Sequence, residues 1–252
     1  MDKKRRIRRS NLGLVVLLLA IIGLVLFFNQ YVVDTLPIAR FATPTPSPIP
    51  ESLEEEADTL VEEGSLFQAI DLYKQAIIIS SGSPNLSALY VKLAHTQILA
   101  GEYEEAKTNA ENALLLNNQS PLALAELGWA FSFLGNELEA EKSLLAALEL
   151  NPESVEAHAY YAELLADQAD YDGAAIHSRR ALELNDQSLV ALRSRGYVLY
   201  FTGNYEESAA VFEEAVALNN EVADLHQFLG LSYWALARYD DAIAQFNEAD
   251  RF

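Results

Sequence analysis

Small residues recur along most of this chain at a fixed interval. Ala113, Ala147, Ala181, Ala215 and Ala249 stand 34 residues apart, and Ala76 precedes them by 37. Seven residues before each member stands another small residue: Ala69, Ala106, Ala140, Ala174, Ser208 and Ala242. Twelve residues before those come Ala57, Ala94, Gly128, Ala162, Gly196 and Gly230. Gly64, Gly101, Gly135 and Gly203 fall between the last two series, with Ala169 and Ala237 at the same place in the other two units. A period of this length decides the architecture before any local feature does. Between the small residues, apolar side chains keep helical spacing, as in Leu124, Leu127, Phe131 and Leu134. The inner glycine ends a first helix, and phrases such as NNQSP and NPES end a second and cap the next. The pattern predicts six helix hairpins beginning near residues 50, 87, 121, 155, 189 and 223, with three extra residues at Pro84–Leu86. A single hairpin cannot bury its apolar face, so the units must stack into an all-α solenoid over residues 50–252.

The hairpin length, the small-residue positions and phrases such as GEYEEA, GNYEESA and ALELNPES resemble the tetratricopeptide repeat family. The resemblance covers about four fifths of the chain and is weakest in the first unit. It implies a right-handed superhelical solenoid whose first helices line a concave groove for protein or peptide partners.

The region before the repeats is of another kind. Residues 1–11 form a basic head with six Lys or Arg against Asp2. Leu12 to Phe28 is an unbroken run of 17 apolar or glycine residues, extended by Tyr31, Val32 and Val33. At 1.5 Å per residue the run is about 26 Å of helix, near the lower limit for a bilayer span. We therefore expect one transmembrane helix over residues 12–33. A signal peptide would have a shorter apolar core and a small-residue cleavage site, which NQYVVDTLPIARFA does not offer. Basic residues before the span and only Arg40 soon after it put the N-terminus in the cytoplasm and the repeats outside it. Residues 34–49 read as a proline-rich linker; the stretch TPTPSPIP, which runs on to Pro50, predicts a polyproline II spacer.

Charge narrows the function further. Residues 51–252 carry 10 Lys or Arg against 35 Asp or Glu. So acidic a body repels phosphate backbones, which excludes nucleic acid as a partner. The absence of cysteine excludes disulfides, thiolate zinc sites and a cysteine nucleophile. No G-x-G pair, no Gly-Lys step and no H-E-x-x-H frame occurs, so we expect no enzyme, no cofactor, no metal and no small-molecule substrate. Gln168-x-Asp170-x-Asp172-Gly173 has the spacing of a calcium loop, but Arg179 stands where the closing Glu belongs. His158 and His226 occupy one repeat position two units apart and read as packing residues. Arg195 stands where the resembled family places a core leucine.

Carrying the family's groove positions onto this chain implies a partner-binding face containing Trp129, Phe133, Arg193, Tyr197, Tyr200 and Trp234, with His95 on the same face. Aromatic rings and arginine are the usual anchors of interfaces. An acidic rim of Asp58, Glu156, Glu163 and Asp224 favours an apolar or basic peptide or helix. The Lys and Asn that clamp acidic chaperone tails in this family are absent. The expected function is a membrane-anchored interaction scaffold or assembly factor. The alternative is a structural subunit packed permanently in a larger cell-envelope complex.

Overall fold

The computed structural model describes residues 12–27 and 49–251. The basic head, Tyr31–Val33 and the linker up to Pro48 lie outside them, and so do the orientation and spacer expectations that rest on them. The chain divides into two units between residues 47 and 48.

The first unit holds α1 (Leu12–Phe27), 16 residues long. At 1.5 Å per residue this is about 24 Å, against a bilayer core of about 30 Å. Residues 16–27 are exposed on every side. Among the described residues no helix is long and apolar enough to cross a membrane. The expected span of 12–33 is described only as far as Phe27.

The second unit is a run of antiparallel hairpins: α2 (Pro50–Glu62) with α3 (Leu66–Ile79), α4 (Leu86–Leu99) with α5 (Tyr103–Leu116), α6 (Pro121–Phe133) with α7 (Glu137–Leu150), α8 (Val155–Asp167) with α9 (Tyr171–Leu184), α10 (Leu189–Phe201) with α11 (Tyr205–Leu218), and α12 (Ala223–Ala235) with α13 (Tyr239–Ala249). Each hairpin packs on the next, so the core is a continuous seam rather than one centre.

The helix ends follow from short polar signals. Ser120, Ser154 and Ser188 cap α6, α8 and α10, each hydroxyl accepting from the backbone N–H three residues on. Asn117, Asn151, Asn185 and Asn219 end α5, α7, α9 and α11 in extended conformation, and each side-chain oxygen accepts from the N–H two residues later. Inside the hairpins the chain turns through the left-handed region. Gly64, Gly101, Gly135 and Gly203 have φ of 71 to 79°, and Ala169 and Ala237 take the same conformation at 61 and 60°. Only glycine does so without a steric cost.

Packing inside each hairpin matches small against large across 16 residues of sequence. A Cβ on Gly196 would lie 2.7 Å from the Phe212 ring, one on Gly230 2.6 Å from Phe246, and one on Gly128 2.6 Å from Leu144. Where the residue opposite is itself small, at Ala110 and Ser178, the glycine is replaced by Ala94 and Ala162. Ala57 faces Tyr73, whose long ring reaches past it to hydrogen-bond Asp58.

Candidate functional site: the inner wall of the solenoid

A chain of polar and aromatic contacts runs along the inner wall from the second unit to the sixth. His95 on α4 lies 3.1 Å from Glu126 Oε1 on α6. The Tyr160 hydroxyl on α8 donates to the same oxygen at 3.2 Å. Tyr160 stacks on Trp129 with 4.2 Å between ring centres, and the Trp129 indole N–H donates to Glu163 at 3.2 Å. Arg193 on α10 pairs with Glu163 and with Asp224 on α12, its guanidinium 5.3 Å from the Trp129 ring centre. Burial works against the charge on Arg193, but Asp224 and Glu163 outweigh it and hold its pKa above the usual arginine value. Burial also raises the Glu163 carboxyl above the ordinary range, against the pull of Arg193. His95 is raised as well, because the attraction and hydrogen bond of Glu126 overcome its desolvation.

The six residues expected to bind a partner separate into groups. Trp129, Phe133, Arg193 and Tyr197 converge on one cavity of about 170 Å³ lined by the third to sixth units. Trp129 is 3% exposed, so its ring is a wall of the cavity rather than a projecting anchor. Arg193 is already paired with two carboxylates of its own chain, Asp224 through Nε and Glu163 through Nη1, so the pairing expected with a group on a partner would have to use its remaining N–H groups. Glu163, expected on an acidic rim, is buried in the same pairing. Phe133 keeps 43% of its surface exposed while stacking on Tyr103 at 4.6 Å. Tyr197 is half-buried, and its hydroxyl donates to Asp167 at 2.6 Å. Tyr200 lies outside the cavity, 5.6 Å from the Tyr205 ring. Trp234, also outside it, is 55% exposed beside Tyr239.

Sequence reasoning missed Glu126, Tyr160 and Lys92. They occupy successive equivalents of the sixth position in the repeat, whereas the family's groove positions are 2, 5, 9, 12 and 13. The available signal was Glu126 itself, the one charged residue in the otherwise apolar and neutral α6.

A second cavity, of about 430 Å³, lies between the first five units. Asp58, Glu62, Lys92, His95, Glu126 and Glu156 line it together with Val61, Val91, Leu122 and Val190. Glu62 also takes part in a contact between distant parts of the chain. The Asn219 side-chain amide donates to the Glu62 carbonyl at 3.1 Å. A Cβ on Gly64 would lie 2.6 Å from the Glu221 carbonyl oxygen. The turn of the first hairpin thus touches the loop that opens the sixth.

Other expected features have structural roles. Asp170 caps α9 by accepting from the Gly173 N–H, so the calcium-like spacing is a helix start. His158 bonds His177 and the Pro152 carbonyl, and His226 bonds Gln245 and the Asn220 carbonyl, the same arrangement two units on. Arg195 is half-buried with Ser178 Oγ at 3.4 Å, and burial together with Arg179 lowers its pKa. Among the described residues it makes no ion pair with a carboxylate. No group of three or more His, Asp or Glu side chains there is placed to hold a metal ion.

Residues 126–188 and 193–252 match one sequence model of the tetratricopeptide repeat, and residues 87–120 match another. The chain belongs to the tetratricopeptide repeat family. Among solved structures, a chain of the APC/C hetero-tetramer Cut9-Hcn1 is 17% identical over 80% of this chain and 39% of its own, with a TM-score of 0.60. A thermophilic TPR protein from Thermus thermophilus is 22% identical over 65% of this chain and 89% of its own, with a TM-score of 0.56. At these identities the likeness is one of fold. No curated protein matches the sequence.

Proposed function

We propose that this tetratricopeptide repeat protein is a membrane-anchored scaffold or assembly factor that holds a polypeptide partner against its inner wall. The observation that carries the binding surface is the convergence of Trp129, Phe133, Arg193 and Tyr197, from two different units, on one cavity. The ion pairs of Arg193 hold the floor rigid, and the half-open Phe133 and Tyr197 rings at its mouth are the surfaces a partner would cover. The apolar run from Leu12 to Phe28 behind six basic residues supports the anchor and an extracytoplasmic solenoid.

Phe133→Ala with Tyr197→Ala should abolish recovery of the partner identified by crosslinking in intact cells, with helix content unchanged. A folded double variant that still captures the partner removes the cavity from consideration. For the anchor, carbonate washing should leave the chain in the membrane fraction. Protease admitted past an outer envelope should then digest the region after Pro50; protection of that region while the cytoplasm is sealed would reverse the topology.

A second reading is a permanent subunit of a larger assembly. The APC/C chain of similar fold comes from a hetero-tetramer. Stoichiometric co-purification after mild detergent extraction would favour a subunit, and recovery of the chain largely free would favour an adaptor.

A further inference from the structure

We propose that the open chamber lined by the first five units receives one organic cation, the side chain of a lysine or arginine, with the Glu126 carboxylate as its anchor. This rests on the reading above only in taking the partner to be a polypeptide.

Glu126 is 2% exposed and lines the chamber. Its Oε1 accepts from Tyr160 and meets His95, whereas its Oε2 is buried with no hydrogen-bond partner among the described residues. A buried acceptor left unfilled is costly, and more so when it is charged. That unsatisfied oxygen favours a donor arriving from outside.

The charges around the chamber point to the sign of that donor. Asp58, Glu62, Glu126 and Glu156 face Lys92 and His95. Lys92 is held by Glu54 at 2.9 Å and Asp58 at 2.6 Å, away from Glu126. Even with His95 protonated, the lining keeps an excess of negative charge. The remaining wall is aliphatic, from Val61, Val91, Leu122 and Val190. Carboxylates at one point and aliphatic walls along the way suit a long methylene stem with a cationic head. A bare metal ion would lack a ligand set here. At about 430 Å³ the chamber is of the size that takes one side chain or small amine.

The test uses the full-length chain in a neutral detergent. Three probes are titrated calorimetrically: a capped Ala-Ala-Lys-Ala-Ala peptide, the same peptide with norleucine for lysine, and n-butylammonium. The lysine peptide should bind at least tenfold more tightly than the norleucine peptide, and Glu126→Gln should erase the difference. Because Gln keeps the shape and can still accept from Tyr160, the fold should survive, as circular dichroism will report. Should it not, Glu156→Gln, in the same lining, should reduce the lysine preference at least threefold, and an unchanged preference overturns the proposal. Equal binding of the two peptides overturns the cation site while leaving the polypeptide reading intact. Binding of n-butylammonium alone makes the ligand a free amine and overturns the side-chain assignment, while the polypeptide reading, which rests on the other cavity, stands. A crystal structure with only an ordered water on Oε2, and no probe binding, sinks the proposal.

Discussion

The contact between the first hairpin and the sixth can be isolated because the same turn occurs six times. Alanine at Gly135 or Gly203 meets nothing within 4 Å, so it adds only the cost of a left-handed L-residue. That cost is about 1–2 kcal/mol, less about 0.5–1 kcal/mol regained from the stiffer unfolded chain, or about 1 kcal/mol net. Gly64→Ala carries the same strain and also drives a Cβ to 2.6 Å from the Glu221 carbonyl oxygen. A backbone oxygen cannot rotate away as a side chain can. The loop must move, and the Asn219–Glu62 hydrogen bond goes with it. Overpacking or loss of that bond adds about 1–3 kcal/mol, so Gly64→Ala should cost about 2–4 kcal/mol in all. Urea midpoints of the three variants measure the excess. The absence of native cysteine allows a spin-label pair at Glu63→Cys and Asn220→Cys. The distance between the labels should lengthen in Gly64→Ala and stay unchanged in Gly135→Ala. If the three alanine variants lose equal stability and the distance holds, the contact between the first hairpin and the sixth contributes nothing to stability.

Ala169→Gly and Ala237→Gly should each stabilise the protein by about 0.5–1 kcal/mol, the reverse of the same strain, and thermal melts would show it as a rise of about 1–4 °C. Trp129→Ala should cost about 3–5 kcal/mol in denaturant, since the ring fills the wall between Tyr160 and Arg193. Arg195→Leu should raise the urea midpoint, by removing a half-buried cation and restoring an apolar side chain, with a gain of about 1 kcal/mol. The His95–Glu126 pair should make stability depend on pH. Its contribution is complete below the ordinary histidine value of 6.5 and is lost as pH rises through the raised value in the folded state. Midpoints measured across that window should fall with rising pH, and the slope should flatten in Glu126→Gln.

The period of 34 and its small residues determined the hairpins, because a helix crossing admits only a small side chain and a tight turn only a residue tolerant of positive φ. Those are local demands, and they repeat wherever the local geometry repeats. The turn at Ala169 and Ala237 was legible in the same way, from position rather than residue type. The fate of the inner-wall residues was not. Trp129 and Phe133 sit four residues apart on α6, yet one is buried and the other half-open. What separates them is the neighbouring unit: Tyr160 and Glu163 on α8 cover the first, and Tyr103 meets the second. Arg193 is likewise defined by Glu163 and Asp224, 30 and 31 residues away. The contact of Gly64 with Glu221 joins residues 157 apart in sequence, and no pattern of period 34 encodes it. It depends on the accumulated rotation from one hairpin to the next, a sum of small packing angles that only the assembled solenoid decides.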